Sequence, residues 1–190
     1  NPRALIGVKV PSITGLGTIV VGVAKAGADV ITISGSTGGT GAASSGSIYH
    51  AGTPLERGLS EAHQYLVENG IRARVRLVGD GGVKYGVDVV KVMALGADAV
   101  AFGTALLVAE NCVFCRGCNV GNCPVGLTTH DTTKVFQRFM VRHRDDLKTA
   151  ELDQRYVEAR AGVIRYLECV AEHVRQLLAR LGLRHPRDLV

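Results

Sequence analysis

The sequence predicts an α/β fold: the second half (strands 5 to 8) of a (β/α)8 barrel, with a cysteine loop and C-terminal amphipathic helices. Short β-branched runs alternate with helical patterns through the first part of the chain, which is typical of a parallel sheet with right-handed crossovers. Hydrophobic residues make up 46% of the chain but aromatic residues only 5%, so the core must be built from aliphatic side chains that suit strands buried under helices. Nearly all of the 24 glycines precede residue 127, where they indicate tight turns.

Four apolar runs are the predicted strands, and the segments between them have the period of helices. The second helix is preceded by Thr53 and Pro54, a predicted N-cap and first-turn proline, and it ends near Gly70. The strands run from Leu5 to Val10, Val30 to Ser34, Val75 to Gly79 and Ala99 to Gly103. The helical patterns begin at Thr18, Leu55 and Val87.

Beyond the cysteines the period is wholly helical. An apolar stripe indicates an amphipathic helix packed on the outside of the sheet structure. We therefore divide the chain into a half barrel (1–110), a cysteine loop (111–126) and a helical extension (127–190). The stripe consists of Ile164, Leu167, Val170, Val174, Leu178 and Leu181.

Two glycine turns follow the last two predicted strands, and each opens a helix. GDGG spans Gly79 to Gly82, and FGTA spans Phe102 to Ala105. In a (β/α)8 barrel the loops after strands 7 and 8 bind a phosphate through backbone N–H groups and a helix N-terminus. The pair therefore predicts a phosphate site and numbers the strands 5 to 8, although such glycines also occur as plain turns.

Other phosphate motifs fit less well. GLGTIV, from Gly15 to Val20, lacks the third glycine of the dinucleotide fingerprint, and GSTGGTG, from Gly35 to Gly41, lacks the Lys-Ser/Thr of a Walker loop. A half barrel leaves two open sheet edges. We therefore expect the remaining half of the barrel to come from a larger assembly.

Four of the five cysteines lie close together in the pattern C-x2-C-x2-C-x4-C-P. One compact loop suits an iron–sulfur cluster, and the pattern resembles the bacterial ferredoxin run except for one longer gap. Structural zinc usually takes two knuckles a dozen or more residues apart; zinc, and inert or regulatory thiols, remain alternatives. Cys169 lies far away in sequence and is interpreted as an incidental thiol. The predicted metal ligands are Cys112, Cys115, Cys118 and Cys123.

An electron carrier beside a phosphate-bearing cofactor indicates FMN, which has one phosphate and accepts electrons singly or in pairs. Only the short helix from Thr104 separates the second glycine turn from the cysteine loop. The net charge of +5 is concentrated in helical segments after residue 133 that lack base-stacking aromatics, so no nucleic acid is expected. Without a signal peptide or a membrane span in the sequence, we expect no membrane partner and a cytoplasmic location.

An ordered series of motifs resembles the FMN-binding synthase domain of glutamate synthase, in its C-terminal half. The resemblance runs in register from about Val8 to the closing helices and includes the related N-methylglutamate synthase subunit. The motifs are VKV (Val8 to Val10), GTIVVGVAKAGADVITISG (Gly17 to Gly35), GGTGA (Gly38 to Ala42), HAG (His50 to Gly52), GLSEAHQ (Gly58 to Gln64), DGGVKYG (Asp80 to Gly86), FGTA and CPVG (Cys123 to Gly126).

The resemblance implies an FMN-dependent oxidoreductase that reduces 2-iminoglutarate, formed from 2-oxoglutarate and ammonia, to glutamate. Ammonia would come from a glutaminase domain or subunit. Electrons would come from ferredoxin or an NAD(P)H-oxidising subunit through the iron–sulfur cluster, [3Fe–4S] or [4Fe–4S].

The resemblance also assigns roles to residues. Lys9 matches a strand-end lysine, the expected catalytic residue and cofactor contact, whose charge can stabilise anionic reduced flavin or substrate carboxylates. Cys112, Cys118 and Cys123 match three cluster ligands, and Cys115 is an extra thiol with which the loop could support [4Fe–4S]. The other expected cofactor contacts are Ser34, Gly35, Asp80, Gly81, Gly82, Gly103 and Thr104.

Departures from the family pattern fall near the expected substrate mouth. Ser36 and Thr37 replace a histidine and an aspartate, and Ile13 replaces an acidic residue. Amine specificity therefore stays open between ammonia and methylamine, the latter in an N-methylglutamate synthase subunit acting on glutamate. An FMN and iron–sulfur electron-transfer module without amino-acid chemistry and a non-catalytic scaffold are further alternatives. His50 and His63 are not assigned as bases.

Overall fold

The computed structural model describes residues 1, 3–38, 43–139 and 154–190. Within them lies a parallel sheet with the strand order β1-β2-β3-β4. Each strand pairs with the next in the chain, so every connection is a β–α–β crossover. The predicted α/β arrangement is therefore confirmed. The strands are β1 Gly7–Pro11, β2 Val30–Ser34, β3 Arg76–Asp80 and β4 Ala99–Ala101.

Helices occupy the connections and the C-terminal part of the chain. The three long helices predicted between the strands are all present, with ends that differ from the expected ones by a few residues. The helices are α1 Leu16–Lys25, α2 Ser45–His50, α3 Leu55–Glu68, α4 Gly86–Ala94, α5 Thr104–Ala109, α6 Thr132–Phe139 and α7 Gln154–Arg180. Short 3-10 turns span Arg72–Arg74, Cys118–Val120 and Pro186–Leu189.

One face of the sheet carries the core. Ile31, Ile33 and Leu77 alternate along their strands and are fully buried, because every second side chain of a strand points to the same face. They form one cluster with Leu16 of α1 and Leu59 of α3. Residues that point to the other face are mostly exposed or half-buried, including Lys9, Thr32, Arg76, Val78 and Ala99.

Two glycines allow close packing around helices α1 and α3. A Cβ on Gly17 would overlap the ring of Tyr65, and a Cβ on Gly58 would overlap the hydroxyl of Ser12. The Glu61 carboxylate also accepts a hydrogen bond of 3.0 Å from the backbone N–H of Gly17. Gly17 of α1 thus lets α3 approach, and Gly58 of α3 lets Ser12, in the loop before α1, approach the helix.

A repeated Gly-Ala-Asp sequence leads into two of the strands. Gly27 and Gly96 both have a φ of 102°, a left-handed conformation that glycine adopts without strain. Two residues later, Asp29 accepts a 2.7 Å hydrogen bond from Ile6 N–H, and Asp98 accepts one of 2.8 Å from Leu77 N–H. Asp29 thus binds the amide directly before β1, and Asp98 binds one within β3; both help to fix the register with the neighbouring strand.

The start of α3 differs from the prediction. Pro54, and not Thr53, is the N-cap residue, and the helix begins at Leu55. The Thr53 hydroxyl instead lies 2.7 Å from the Ser12 hydroxyl. The sequence Thr-Pro indicated a cap correctly to within one residue, but a tertiary partner takes the hydroxyl that would have capped the helix.

The chain divides into two compact units. The first contains the sheet, α1 to α4 and the end of α7, and the second contains α5, the cysteine loop, α6 and the first part of α7. In the second unit, Gly162 of α7 lies against the Ala109 carbonyl at the end of α5. Among the described helices, none is at once long and apolar enough for a membrane crossing.

Candidate functional site

An ion pair lies near the carboxyl end of β3, and it joins Asp80 to Lys9, the middle residue of β1. The Lys9 ammonium on β1 donates to Asp80 Oδ2 on β3, so the lysine side chain reaches across the intervening strand β2. The Asp80 side chain is 16% exposed and that of Lys9 is 48% exposed. The pair therefore places one cation at the rim, with its partner carboxylate largely withdrawn from water.

Two buried oxygens beside this pair lack hydrogen-bond partners among the described residues: Ser34 Oγ and Asp80 Oδ1. Ser34 pairs with Asp80 in the sheet register, so both side chains point the same way from neighbouring strands. A Cβ on Gly38 would lie 2.6 Å from Ser34 Oγ and 2.7 Å from Asp80 Oδ1. Because buried polar groups are almost always paired, these two oxygens indicate a place for a ligand with hydroxyl or N–H groups.

The turns after β2 and β3 are interlocked through their glycines. Gly35 N–H donates to the Asp80 carbonyl at 2.9 Å, and Gly38 N–H donates to the Gly35 carbonyl at 2.7 Å. Gly81 has a φ of 110°, and a Cβ there would lie 3.0 Å from Gly38 N. The glycine requirement at Gly81 thus comes from backbone packing, in addition to any approach by a ligand.

The next two glycines of the predicted phosphate site differ in their surroundings. Gly82 has a φ of 76°, and a Cβ there would lie 2.8 Å from Thr37 Oγ1. Gly103 follows β4, and a Cβ there would meet no described atom within 4 Å. The open space beside Gly103 leaves room for a phosphate. Thr104 opens α5 and belongs to the second unit.

The structure thus brings together several of the predicted cofactor contacts at the carboxyl ends of β1 to β3. Hydrogen bonds, ion pairs or sheet register link Lys9, Ser34, Gly35 and Asp80 directly, and Gly81 continues the same turn. A lysine, two unsatisfied oxygens and glycine turns fit a ligand that combines hydroxyl groups with negative charge, as FMN does. The donor set is therefore compatible with the expected cofactor.

The substitutions at the expected substrate mouth lie beside this cluster. Ser36 is half-buried and its N–H donates to the Thr53 carbonyl at 3.0 Å. Thr37 is exposed, as is Ile13. His50, at the end of α2, is also exposed. Of the motif GGTGA, residues 39–42 lie outside the described residues.

Sequence reasoning did not single out Ser12. Its side chain is fully buried, its hydroxyl lies 2.7 Å from Thr53 Oγ1, and it donates to the Pro54 carbonyl at 3.0 Å. Ser12 N–H also donates to the Ser34 carbonyl at 2.7 Å. This serine thus joins the loop after β1 to the end of β2 and the start of α3, and the glycine opposite it, Gly58, was the available sequence signal.

The cysteine loop belongs to the second unit and is described by itself. Cys123 is buried, Cys112 and Cys118 are half-buried, and Cys115 is exposed; all four thiols are free. Phe114 N–H donates to Cys112 Sγ at 3.4 Å. Asn111, Phe114 and Arg116 are the non-glycine residues with positive φ in the described chain. Such strained residues cluster at functional sites.

The Cys123 thiol has backbone donors around it. Burial alone would raise its pKa, but hydrogen bonds from the N–H groups of Thr128, Leu127 and Val125 outweigh burial and lower the pKa to about 7. A lowered pKa favours the thiolate, which is the metal-binding form. In the described conformation, however, no three cysteine, histidine or acidic side chains of the described residues are grouped as metal ligands.

The known sequences that are similar to this chain include several glutamate synthases. Ferredoxin-dependent glutamate synthase 2 of Synechocystis sp. is 42% identical over the whole chain, which spans 11% of that protein. The large chain of the NADPH glutamate synthase of Azospirillum brasilense is 43% identical with the same coverage. A ferredoxin-dependent relative from Arabidopsis thaliana, named as chloroplastic/mitochondrial, is 42% identical. The chain thus spans about a tenth of the length of these curated relatives.

Solved structures confirm the barrel class of the fold. A mutant flavocytochrome b2 with benzoylformate matches 98% of this chain and 34% of its own, with a TM-score of 0.60 and 18% identity. A mutant mandelate oxidase with an FMN adduct matches 96% of this chain and 40% of its own, with a TM-score of 0.53 and 19% identity. Residues 1–184 match the family model described as the conserved region in glutamate synthase. The chain therefore belongs to the glutamate synthase family.

Proposed function

We propose that the chain supplies the second half of an FMN-binding barrel in a glutamate-synthase-type oxidoreductase, which reduces 2-iminoglutarate to glutamate. The observation that carries the proposal is the pair of unsatisfied buried oxygens, Ser34 Oγ and Asp80 Oδ1, beside the Lys9 ammonium. Family membership and 40–43% identity to glutamate synthases support the reaction class. Because the chain covers only about a tenth of each relative's length, we expect the rest of the catalytic machinery to come from other segments.

In this proposal the residues of the chain bind and orient the cofactor and the substrate. When bound, FMN supplies hydride transfer to a carbon–nitrogen double bond. Ser34 and Asp80 would hold its hydroxyl groups, and the turns at Gly81–Gly82 and Gly103 would hold its phosphate. Lys9 provides positive charge at the rim, where it stabilises negative charge on the flavin or on a substrate carboxylate. Asp80 holds Lys9 in place through its other oxygen.

The four thiols of the cysteine loop would hold an iron–sulfur cluster, which would supply electrons. Four thiols in one loop are the donor type that iron–sulfur clusters take. Phe114 and Arg116 have positive φ, and left-handed residues of this kind occur in the backbone nests that bind anions and Fe–S clusters. The N–H group of Phe114 donates to Cys112 Sγ.

The expected partners are inferred from the exposed face of the sheet and from the names of the relatives. We expect the first four strands of the barrel, a glutaminase domain or subunit as ammonia source, and either ferredoxin or an NADPH-oxidising subunit as electron donor. The names of the relatives include both donors. A cytoplasmic location stays a prediction, since several relatives are named as chloroplastic.

The flavin site is tested by Asp80→Asn in the intact assembly. Loss of a charged hydrogen-bond acceptor costs about 1.5–3 kcal/mol, so we expect FMN to bind roughly ten- to a hundred-fold more weakly in a fluorescence titration. The matched control is Asp29→Asn at the amino end of β2, where an amide oxygen can still accept from Ile6 N–H. Equal FMN affinity in the Asp80 variant and the wild type would refute the assignment.

A second candidate function rests on the neutral substrate mouth. Ser36, Thr37 and Ile13 carry no charge, where the family pattern has a histidine and two acidic residues. Ile13 offers an apolar contact for the methyl group of methylamine, which ammonia lacks, with glutamate as the acidic substrate. Steady-state assays with ammonia and methylamine separate the two reactions. A flavin spectrum that neither 2-oxoglutarate nor glutamate perturbs would point to an electron-transfer module instead.

A further inference from the structure

We propose that Ser12 and Thr53 are positioning residues for the amine in the substrate mouth. Their hydroxyl pair joins the loop that carries Ile13 to the turn that carries Ser36. The inference rests on the proposed function and deepens it, because it assigns part of the amine affinity to two residues that are neither flavin contacts nor mouth residues in that proposal.

The hydroxyl pair has a fixed hydrogen-bond direction. The Ser12 and Thr53 hydroxyl oxygens lie 2.7 Å apart, and Ser12 Oγ donates to the Pro54 carbonyl at 3.0 Å. A serine hydroxyl has one proton, and a carbonyl oxygen only accepts. The Thr53 hydroxyl must therefore donate to Ser12. Because Ser12 is fully buried, water cannot replace the partner that Thr53 provides.

Three backbone hydrogen bonds connect the same segments in series. Ser12 N–H donates to the Ser34 carbonyl at 2.7 Å, and Thr53 N–H donates to the Ser12 carbonyl at 2.7 Å. Ser36 N–H then donates to the Thr53 carbonyl at 3.0 Å. The series closes on itself, because a single residue separates Ser34 from Ser36. A shift of Thr53 is therefore passed directly to Ser36.

Gly52 shows how closely these segments approach one another. It has a φ of 80°, and a Cβ there would lie 3.0 Å from the Ser12 carbonyl oxygen and 3.7 Å from the Cα and Cβ of Ser36. The chain before α3 thus touches both the loop after β1 and the turn after β2. Ile13 is adjacent to Ser12, and Ser36 is itself a member of the network. Two of the three positions that depart from the family pattern are therefore held by these contacts.

Small displacements matter for an amine as small as ammonia or methylamine. These two amines differ by one methyl group, and a pocket discriminates one methylene group by roughly ten- to two-hundred-fold. Misplacement of a contact by about 1 Å can lower a rate substantially even when the mutation is remote. Loss of one neutral hydrogen bond corresponds to about a three- to tenfold change in affinity. We therefore expect an effect of this size when the hydroxyl pair is broken.

The test compares Thr53→Val, which removes the hydroxyl and keeps the shape, with Thr53→Ser, which keeps the hydroxyl. Leu66→Val controls for a general loss of stability, because Leu66 is fully buried near the other end of α3. The intact, FMN-loaded assembly is assayed with ammonium chloride and with methylamine. KM does not depend on the fraction of active protein, so partial misfolding cannot imitate the effect. Amide hydrogen exchange at Ser36 and Thr53 provides a readout that is independent of turnover.

We expect Thr53→Val to raise KM for the amine that the wild type uses by about three- to tenfold, with unchanged kcat and FMN affinity. Exchange of the Ser36 amide should become faster, because its acceptor is the Thr53 carbonyl. Thr53→Ser should keep the wild-type KM, and Leu66→Val should keep it despite a lower melting temperature.

Ser12→Ala breaks the pair from the other side and keeps the test possible if Thr53→Val does not assemble. It should raise KM for the amine as Thr53→Val does, and the double variant should show no further increase, because both changes remove the same bond.

An unchanged KM in Thr53→Val, or an equal increase in Leu66→Val, would overturn the inference and leave the proposed function intact. Additive effects of Ser12→Ala and Thr53→Val would overturn it as well, since the two hydroxyls would then act separately. Turnover of neither amine by the FMN-loaded wild type, or unaltered FMN affinity in Asp80→Asn, would instead refute the proposed function on which the inference rests.

Discussion

Two buried serines near the ends of β1 and β2 are in opposite situations. Ser12 Oγ has two partners, Thr53 Oγ1 and the Pro54 carbonyl, whereas Ser34 Oγ has none among the described residues. A buried hydroxyl without a partner costs about 1–3 kcal/mol. The flavin-free protein therefore carries a cost at Ser34 that a bound ligand can remove, and none at Ser12.

Substitution of each serine by alanine tests this contrast. Ser34→Ala should leave the flavin-free protein as stable as the wild type or up to about 1 kcal/mol more stable, while weakening FMN binding by roughly tenfold. Ser12→Ala should lower the free energy of unfolding by about 1–3 kcal/mol, because Thr53 loses its buried partner. Urea denaturation and FMN titration measure the two effects. A large loss of stability in Ser34→Ala would show that its hydroxyl is already satisfied.

His63 should make stability depend on pH. Burial and then the Arg72 guanidinium lower its pKa from 6.5, against smaller opposing effects of the Gly96 carbonyl and Asp98. Since the unfolded chain then binds the proton more tightly, the stabilising contribution is present above pH 6.5 and is lost as the pH falls through the folded-state pKa. Its Nδ1 accepts from Arg72 Nε at 3.1 Å, a bond that the protonated ring cannot accept.

The variant His63→Asn keeps an acceptor for Arg72 but does not titrate. We expect the wild type to lose more unfolding free energy than the variant between about pH 7.5 and pH 5, as measured by urea midpoints. Parallel pH profiles for the two proteins would contradict the assignment of this dependence to His63.

At the scale of elements, the two glycines Gly22 and Gly58 should respond in opposite ways to the same change. A Cβ on Gly22 of α1 meets nothing within 4 Å, whereas a Cβ on Gly58 of α3 would overlap Ser12, which is held by hydrogen bonds. Gly22→Ala should therefore stabilise the protein by up to about 1 kcal/mol through helix propensity. Gly58→Ala should destabilise it by about 2–3 kcal/mol through overpacking of α3 against Ser12. Thermal unfolding measures the stability of both variants. Similar effects of the two substitutions would show that the packing around Gly58 can adjust to a side chain.

These elements show what the sequence could reveal. The period of the hydrophobic residues and the glycine turns were sufficient to predict the order of the strands and the position of Asp80, because both depend on local sequence pattern. The partner of Thr53 was not predictable, since Ser12 lies 41 positions away in the chain. The repeated Gly-Ala-Asp was visible but ambiguous: only the register shows that each aspartate binds a neighbouring strand. Spacing predicted cysteine ligands, whereas the exposure of Cys115 and the strain beside it required coordinates.

At the scale of the whole molecule, the described sheet has one face under helices and one that carries Lys9, Arg76 and other exposed residues. β1 and β4 pair on one side only in this sheet. Unpaired edges and an uncovered face favour association with further strands. In an eight-stranded barrel the same face points inward and is filled by side chains of the other strands.

Isolated residues 1–190 should therefore self-associate and bind FMN weakly, because in the proposed assembly strands 1 to 4 close the barrel and complete the flavin site. Co-expression with the segment that supplies those strands should give a single species with at least about tenfold tighter FMN binding, the equivalent of about 1.4 kcal/mol. Light scattering after size-exclusion chromatography and flavin titration measure both effects. Arg76→Glu on the uncovered face is the diagnostic variant, with exposed Arg74→Glu in the preceding 3-10 turn as control. Loss of co-assembly in the first variant only is the expected result. A monomeric isolated chain with full FMN affinity would show that the four-stranded sheet is sufficient by itself.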